Sequence, residues 1–230
     1  MKRFWKEVAV GEDGVVALDG RPVRTPGRVP LAVPAPALAQ AVADEWRAVG
    51  ETVDPRAMPL TGLSNAVIDR VAPDPRAFAA GLARYGESDL LCYRADAPAE
   101  LVARQAAAWD PMLDWARTRY DVHFELATGV MHRAQPAATV VRLADAVAAL
   151  DAWRLAALSP VVTITGSLVL AVALIEGAAD ADAVWTAATV DEAWQAERWG
   201  EDALASQALA ARRAEFDAAV RFLSLLPVVA

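Results

Sequence analysis

The segment from 191 to 202, Asp-Glu-Ala-Trp-Gln-Ala-Glu-Arg-Trp-Gly-Glu-Asp, concentrates polar side chains that could recognise a ligand. It contains five carboxylates, one Gln and two Trp within about three helical turns. On one continuous helix, Glu192, Gln195 and Trp199 share a face, and Asp202 extends it ten residues from the first. An acidic stripe that carries a large aromatic ring is typical of a protein-docking surface. We therefore expect this segment to bind another protein and not to form a reaction centre.

The residue types needed for several other chemistries are missing or badly spaced. The only two Lys residues are Lys2 and Lys6, whereas a phosphate-binding loop or a Schiff-base enzyme needs a Lys further along the chain. Cys92 with His123 or His132 is the only thiol–imidazole option, and Cys92 lies in an apolar context that predicts a small buried side chain. These three residues show no metal-ligand spacing. We predict no catalytic residue, no metal and no cofactor, although abundant carboxylates leave no signature that would exclude an acid–base pair.

Net charge limits the classes of partner. The chain has 22 basic and 30 acidic residues, a net charge of −8, which opposes nucleic-acid backbones and anionic lipid surfaces. We therefore predict that the protein binds no nucleic acid.

One uncharged stretch, residues 155–175, is long enough to cross a bilayer, which takes about 20 apolar residues. Pro160 and the polar residues from Thr163 to Ser167 interrupt it. We predict two buried core segments that meet at Thr165-Gly166, and no membrane insertion.

The compartment is indicated by weak signals. A single Cys cannot form an internal disulfide, which fits a reducing compartment. The basic residues at the start of the chain are followed by no apolar run, so neither a secretory signal nor a convincing transit peptide is predicted. We expect a cytoplasmic protein.

The beginning of the chain is typical of strands and tight turns. Two Asp-Gly pairs, at 13–14 and 19–20, flank a short apolar run. Pro-punctuated pieces follow up to residue 34 and suit sheet edges. From Ala35 the apolar spacing becomes helical, with one face formed by Leu38, Val42, Trp46 and Val49.

After residue 60 the pattern is mostly helical. Helices are predicted at 63–71, 75–85, from 98 with a restart or kink at Pro111, and at 137–151, 153–159, 166–176, 181–199 and 202–226. The fold class is therefore α+β, with a small β-rich N-terminal domain (1–60) followed by a larger all-helical C-terminal domain (61–230). The boundary is uncertain by about 20 residues.

The tryptophans divide into two kinds. Trp109 has helical spacing with Leu113 and Ala116, which predicts packing in the core. Trp194 and Trp199 are five residues apart, about 140° around a helix. We expect that one of them can anchor the helix while the other forms part of a surface.

Several segments together resemble one family, the ATP synthase assembly chaperones that escort the α subunit of the catalytic head before it joins the β subunit. The matching segments are Arg3–Val8, Leu18–Gly27, Glu45-Trp46, Met58–Thr61, Asn65–Val71, Asp89–Ala95, Arg104-Gln105, Trp109–Pro111, Gly166–Leu168, Asp191–Gln195 and Trp199–Asp202. Each is a weak motif alone, but their order and spacing from residue 3 to residue 202 make the resemblance specific. The chain after about residue 210 carries no matching motif.

The resemblance implies a non-enzymatic protein with a small β-containing N-terminal domain and a helical C-terminal domain. It also implies transient binding of the unassembled α subunit, without a nucleotide, until the β subunit arrives. Eukaryotic members are mitochondrial. The absence of a presequence and the Arg-over-Lys bias make this chain similar to a bacterial, cytoplasmic member.

On this hypothesis the partner-binding residues lie in the acidic segment. We expect them to be Asp191, Glu192, Gln195, Glu197, Trp199, Glu201 and Asp202. The carboxylates would pair with Arg or Lys of the client, and Trp199 would supply apolar contact. An internal alternative also stays open, in which Glu201 and Asp202 cap the helix that follows Gly200.

A second hypothesis is a small-molecule-binding protein or enzyme. Its pocket would lie between the two domains, with Arg21, Arg24 and Asp69 as polar groups. Carboxylate chemistry leaves no firm sequence signature, so this alternative stays open too.

Overall fold

Short strands begin the chain and helices follow in the computed structural model, which describes residues 1–129 and 131–227. This order confirms the predicted α+β class. The chain forms two compact units. The first contains Met1–Pro75, Asp151–Ala157 and the chain from Asp217 onwards, and the second contains Arg76–Leu150 and Leu158–Phe216. The sequential division into 1–60 and 61–230 stays a prediction.

A three-stranded antiparallel sheet opens the first unit. Its strands β1 (Val8–Val10), β2 (Val16–Leu18) and β3 (Arg21–Pro22) are neighbours in chain order. The predicted Asp-Gly turns lie on either side of β2, and the glycine of each has a φ of +76°. At Gly14 an added Cβ would lie 2.2 Å from the carbonyl oxygen of Val33. Only glycine fits at this position, so the Asp-Gly pair in the sequence correctly predicts the turn that precedes β2.

The predicted first helix is confirmed as α1 (Pro36–Ala48). Its apolar face is buried and includes Leu38, Val42 and Trp46. Trp5 packs edge-on against Trp46, with ring centroids 5.4 Å apart. A period of 3.6 residues in the sequence thus identifies the buried side of this helix.

The second helix begins earlier than predicted, because a distant carboxylate caps it. Helix α2 (Pro59–Ala66) continues into a π-helical turn at Val67–Val71. The Glu45 carboxylate accepts hydrogen bonds from the backbone N–H groups of Leu60 (2.8 Å) and Thr61 (2.7 Å). These donors have no partner within the helix, so a tertiary contact sets the start of α2.

Eight further helices complete the described chain. They are α3 (Pro75–Ala83), α4 (Ala99–Tyr120), α5 (Ala137–Ala148), α6 (Ala152–Thr165), α7 (Leu168–Ile175), α8 (Ala181–Ala188), α9 (Val190–Trp199) and α10 (Ala203–Ser224). Short 3₁₀ helices lie at Pro55–Ala57, Arg84–Glu87 and Leu90–Cys92. The helical part also contains one parallel pair of two-residue strands, β4 (Tyr93–Arg94) and β5 (Ala127–Thr128), which are too short to leave a period-2 pattern in the sequence.

The predicted break before Pro160 is wrong. Helix α6 continues through Pro160 to Thr165, although an internal proline costs about 3 kcal/mol. Its apolar residues Leu155, Val161 and Val162 are buried, and this burial offsets the lost hydrogen bond. Helix α4 likewise runs without interruption through Pro111.

The predicted joint between two buried segments is confirmed. Gly166, with a φ of +67°, separates α6 from α7, and the Ser167 hydroxyl oxygen accepts a hydrogen bond of 3.0 Å from the backbone N–H of Leu170. Both flanking helices are rich in buried residues. Within residues 1–129 and 131–227, no helix combines the length and the apolar composition that crossing a bilayer requires.

A buried carboxylate, Asp89, fixes the start of α7. The side chain is fully buried. One oxygen accepts from the backbone N–H of Leu91 (3.0 Å) and the other from that of Val169 (2.9 Å). Because the N–H of Val169 belongs to the first turn of α7, Asp89 satisfies an otherwise unpaired helix donor. Asp89 therefore joins two segments about eighty residues apart in sequence.

Burial raises the pKa of Asp89 to about 6, against the opposing effect of hydrogen bonds from Val169, Ser167 and Leu91. The folded state therefore holds a proton on this carboxyl more tightly than an unfolded chain, whose ordinary pKa is 3.8. The stabilisation from this proton is complete below pH 3.8 and is lost as the pH rises through about 6.

We expect Asp89→Ala to lower the free energy of unfolding by about 3 kcal/mol, because two buried N–H groups lose their acceptors. Asp89→Asn keeps one acceptor oxygen, so its loss should be intermediate. Urea unfolding followed by circular dichroism measures both. Equal stability of the alanine variant and the wild-type protein would contradict the anchoring role.

The pH dependence is tested with the same asparagine variant, which cannot titrate at this position. Between pH 7 and pH 5 the wild-type protein should gain about 1 kcal/mol of stability relative to Asp89→Asn. Urea midpoints at both pH values give this difference. A constant gap between the two proteins would show that Asp89 does not titrate in this range.

Candidate functional site

Most of the predicted partner-binding residues lie on α9, whose position is set by buried aromatic rings. The indole N–H of Trp109, on α4, donates a 2.7 Å hydrogen bond to the carbonyl oxygen of Ala187 at the end of α8. Thr189 then separates α8 from α9, so the predicted single helix at 181–199 is two helices. Trp194 is 5% exposed and Trp199 is 75% exposed. The expected division between an anchoring and a surface tryptophan is confirmed.

Asp191, the first carboxylate of the segment, is hydrogen-bonded to another residue of the second unit. One oxygen of Asp191 accepts a 2.8 Å hydrogen bond from the side-chain amide of Gln105, on α4. The amide oxygen of Gln105 in turn accepts from the backbone N–H of Ala95 at 2.8 Å. Gln105 is 2% exposed. Asp191 therefore forms part of a polar bridge that fixes the beginning of α9 against α4.

Glu192 connects α9 to α10. Its carboxylate lies 3.0 Å from a guanidinium nitrogen of Arg212. A second nitrogen of Arg212 donates to the carbonyl oxygen of Ile164, also at 3.0 Å. Both side chains are partly exposed, so the ion pair contributes about 1 kcal/mol or less. Arg212 thereby connects α10 to α9 and to the end of α6.

Glu197 is also paired within the chain. Its carboxylate lies 2.7 Å from the guanidinium of Arg104, which also lies 3.4 Å from Glu100. The hydrogen bond that Arg104 donates to Glu197 raises the pKa of Arg104. The same guanidinium covers the ring of Trp194, 4.9 Å from its centroid. A client Lys or Arg would have to compete with Arg104 for Glu197.

The predicted continuous stripe ends before Asp202. Gly200, with a φ of +87°, terminates α9, so Asp202 does not share the face of Glu192. One oxygen of Asp202 instead accepts a 2.8 Å hydrogen bond from the backbone N–H of Ala205. The capping alternative is therefore confirmed for Asp202. Glu201 is exposed and has no ion pair with any residue in 1–129 or 131–227.

The groups left facing solvent form a smaller surface, which we call the α9–α10 elbow (residues 195–204). It presents Gln195, Trp199 and Glu201, all exposed. Leu204, which is 77% exposed, adds a second large apolar side chain that the sequence analysis missed. The signal for it was the uncharged run of nine residues between Asp202 and Arg212, which is unusual for a solvent-facing helix.

The other candidate residues have local structural roles. Cys92 is buried, and burial raises its pKa to about 12, which confirms the predicted small buried side chain and leaves little thiolate. His132 lies 2.8 Å from the hydroxyl of Tyr93, and His123 is exposed. Across the described ranges, no three or more His, Cys, Asp or Glu side chains are grouped where they could hold a metal ion.

The polar groups of the pocket hypothesis lie in the first unit. Asp69 accepts from the Thr25 hydroxyl (2.6 Å) and from the backbone N–H of Gly27 (2.8 Å). Arg24 donates to the carbonyl oxygen of Arg28 at 2.7 Å. These contacts close a loop after β3 and give Asp69 a structural role. The pocket itself stays a hypothesis.

Comparison with known proteins identifies the family. The model of the ATP12 chaperone protein family matches residues 2–117. The crystal structure of Atp12 from Paracoccus denitrificans has 45% sequence identity and a TM-score of 0.91, over 97% of this chain and 97% of that one. A mutant of the same protein gives the same values. Atu1473 from Agrobacterium tumefaciens, a candidate chaperone, has 43% identity and a TM-score of 0.91, over 98% of this chain and 86% of that one. The chain therefore belongs to the ATP12 chaperone family, which confirms the resemblance to ATP synthase assembly chaperones found in its sequence.

Proposed function

We propose that this protein binds the unassembled α subunit of the ATP synthase catalytic head and keeps it from aggregating until it pairs with the β subunit. The observation that carries the proposal is the 45% identity to Atp12 over 97% of both chains. The bacterial source of that relative also supports action in a bacterial cytoplasm. In this proposal the protein catalyses no reaction and needs no nucleotide.

The physical basis is the surface of an isolated ring subunit. An obligate interface is large and apolar, so a subunit without its neighbour tends to self-associate. A chaperone must cover that surface and still give way to the true partner. A few apolar side chains beside fixed charges suit this task, because charges raise the association rate and the selectivity more than the affinity.

The α9–α10 elbow is the surface on which we place the client. Trp199 offers the apolar contact, since a large exposed ring loses most solvent on binding. Glu201, which forms no ion pair with any residue that the structure describes, offers a carboxylate to a basic client side chain. Asp191, Glu192 and Glu197 have partners within the chain, so in this proposal they shape and hold the elbow. Gln195 adds an exposed side-chain amide to the elbow, and Asp202 caps the first turn of α10.

Aggregation of the client provides the direct test. Purified α subunit is diluted from denaturant without nucleotide, and light scattering is recorded with and without an equimolar amount of this protein. We expect scattering to fall, and added β subunit to recover a soluble α–β complex. Bovine serum albumin at the same concentration controls for crowding. Undiminished scattering would contradict the proposed function.

A matched pair of charge reversals tests the elbow. Glu201→Lys should leave stability within about 0.5 kcal/mol of wild type and weaken α-subunit binding about tenfold, more at low salt. Glu192→Lys places a cation beside Arg212, so it should lose about 1 kcal/mol of stability as well. Biolayer interferometry and urea unfolding measure the two effects. Wild-type affinity in both variants would show that the elbow does not contact the client.

A further inference from the structure

The beginning of α10 is helical but contains no fully buried side chain. After Trp194 no side chain is buried until Phe216, although α10 already starts at Ala203. We call residues 203–211 the α10 arm. Most helical stability in proteins comes from packing an apolar face, and in this segment only Leu209 is even partly buried.

The composition of the arm contrasts with its exposure. Seven of its nine residues are Ala or Leu, and none is charged. A helix surrounded by water normally carries charged residues on its outer face. On this helix Leu204, Ala208 and Ala211 are spaced by four and three residues and so share one face, and all three are exposed. An exposed apolar face of this kind marks an interaction surface.

Both ends of the arm are held by hydrogen bonds or ion pairs to residues of the second unit. At its start, Asp202 caps the first turn through the N–H of Ala205. At its end, Arg212 is paired with Glu192 and Arg213 with Asp182, at 3.0 Å and 2.7 Å. The arm is thus presented as a formed helix, so little ordering entropy is lost when a partner binds it.

The charges around the arm decide what can cover it. Glu201 and Asp202, just before its first residue, form no ion pair with any residue in the described ranges, whereas Arg212 and Arg213, just after its last residue, are each paired with a carboxylate. A second copy of this chain would bring the same carboxylates, and its net charge of −8 would add repulsion. A segment with basic residues beside an apolar face has the complementary charge.

We propose that the α10 arm is an apolar ridge on which a helical segment of the client, flanked by Lys or Arg, docks with its apolar face. This inference rests on the proposed function and extends the elbow along α10. The small side chains of Ala208 and Ala211 let the client backbone approach closely. Leu204 adds a large apolar side chain to the part of the interface next to Trp199. In this arrangement the ridge provides apolar contact area, and the charged and aromatic side chains of the elbow orient the client segment.

Hydrogen exchange on the full chain tests the ridge directly. In the free protein, amides of the arm should exchange faster than those of the packed helices, because a helix held at its two ends but without a buried face opens more readily than a packed one. Addition of purified α subunit should slow their exchange at least tenfold. Helix α5, which has an exposed outer face but buries Leu143 and Val147, serves as the internal reference, and its exchange should not change.

Substitutions provide the second measurement. Ala208→Lys and Leu204→Lys each introduce a residue that is itself a good helix former, so the circular dichroism spectrum should not change. Because each also places a cation on the ridge, each should weaken α-subunit binding at least tenfold. Val141→Lys is the matched control, since Val141 is an apolar residue of α5 that is 57% exposed. Its affinity should equal that of the wild-type protein.

Each other outcome overturns a different statement. If the wild-type protein suppresses α-subunit aggregation but the arm amides and the Lys variants behave as controls, the ridge is wrong and the proposed function stands. If the wild-type protein neither binds nor protects the α subunit, both are wrong. If arm amides become protected at high concentration without client, together with a dimer in sedimentation, a second copy is the occupant and the ridge proposal fails.

Discussion

The burial of one ring, Trp194, determines which polar side chains of α9 face solvent and which face the rest of the second unit. Helix α9 has ten residues, and Val190 and Trp194 are its buried ones. Once Trp194 faces inward beneath Arg104, a residue five positions later lies about 140° around the axis and must face solvent. The exposure of Trp199 and the inward direction of Asp191 both follow from this single contact.

This orientation separates carboxylates that look alike in sequence. Asp191 bonds to Gln105 and Glu197 to Arg104, both on α4. Glu201 lies beyond the helix end and pairs with no cation among residues 1–129 and 131–227. Paired charges on a surface contribute little to stability because water screens them. They still restrict rotamers, which gives the elbow a defined shape before any partner arrives. The acidic segment is therefore part scaffold and part surface.

Local patterns in the sequence predicted what depends on local physics. The turn at Gly14, the buried face of α1, the joint at Gly166 and the division between the two tryptophans of α9 all follow from period, turn chemistry or helix geometry. The start of α2 and the continuity of α6 through Pro160 did not follow, because a distant carboxylate and core burial decide them. At the site, the pattern located α9 but not its pairing, since the partners Gln105 and Arg104 lie on another helix and Arg212 on a third. The sequence predicts that one helix ends at Trp199 and the next begins at Asp202, and the positive φ of Gly200 is what removes Asp202 from the stripe.

The proposed division between elbow and ridge also accounts for reversible capture. An obligate subunit interface buries more than about 2,000 Å², far more than a nine-residue helix face and one indole can cover. A chaperone that contacts only part of such an interface has fewer apolar contacts than the β subunit can make. In this proposal the β subunit displaces the chaperone because it would bury more apolar area on the α subunit. Release would need no nucleotide hydrolysis, because the difference in buried apolar area supplies the driving force.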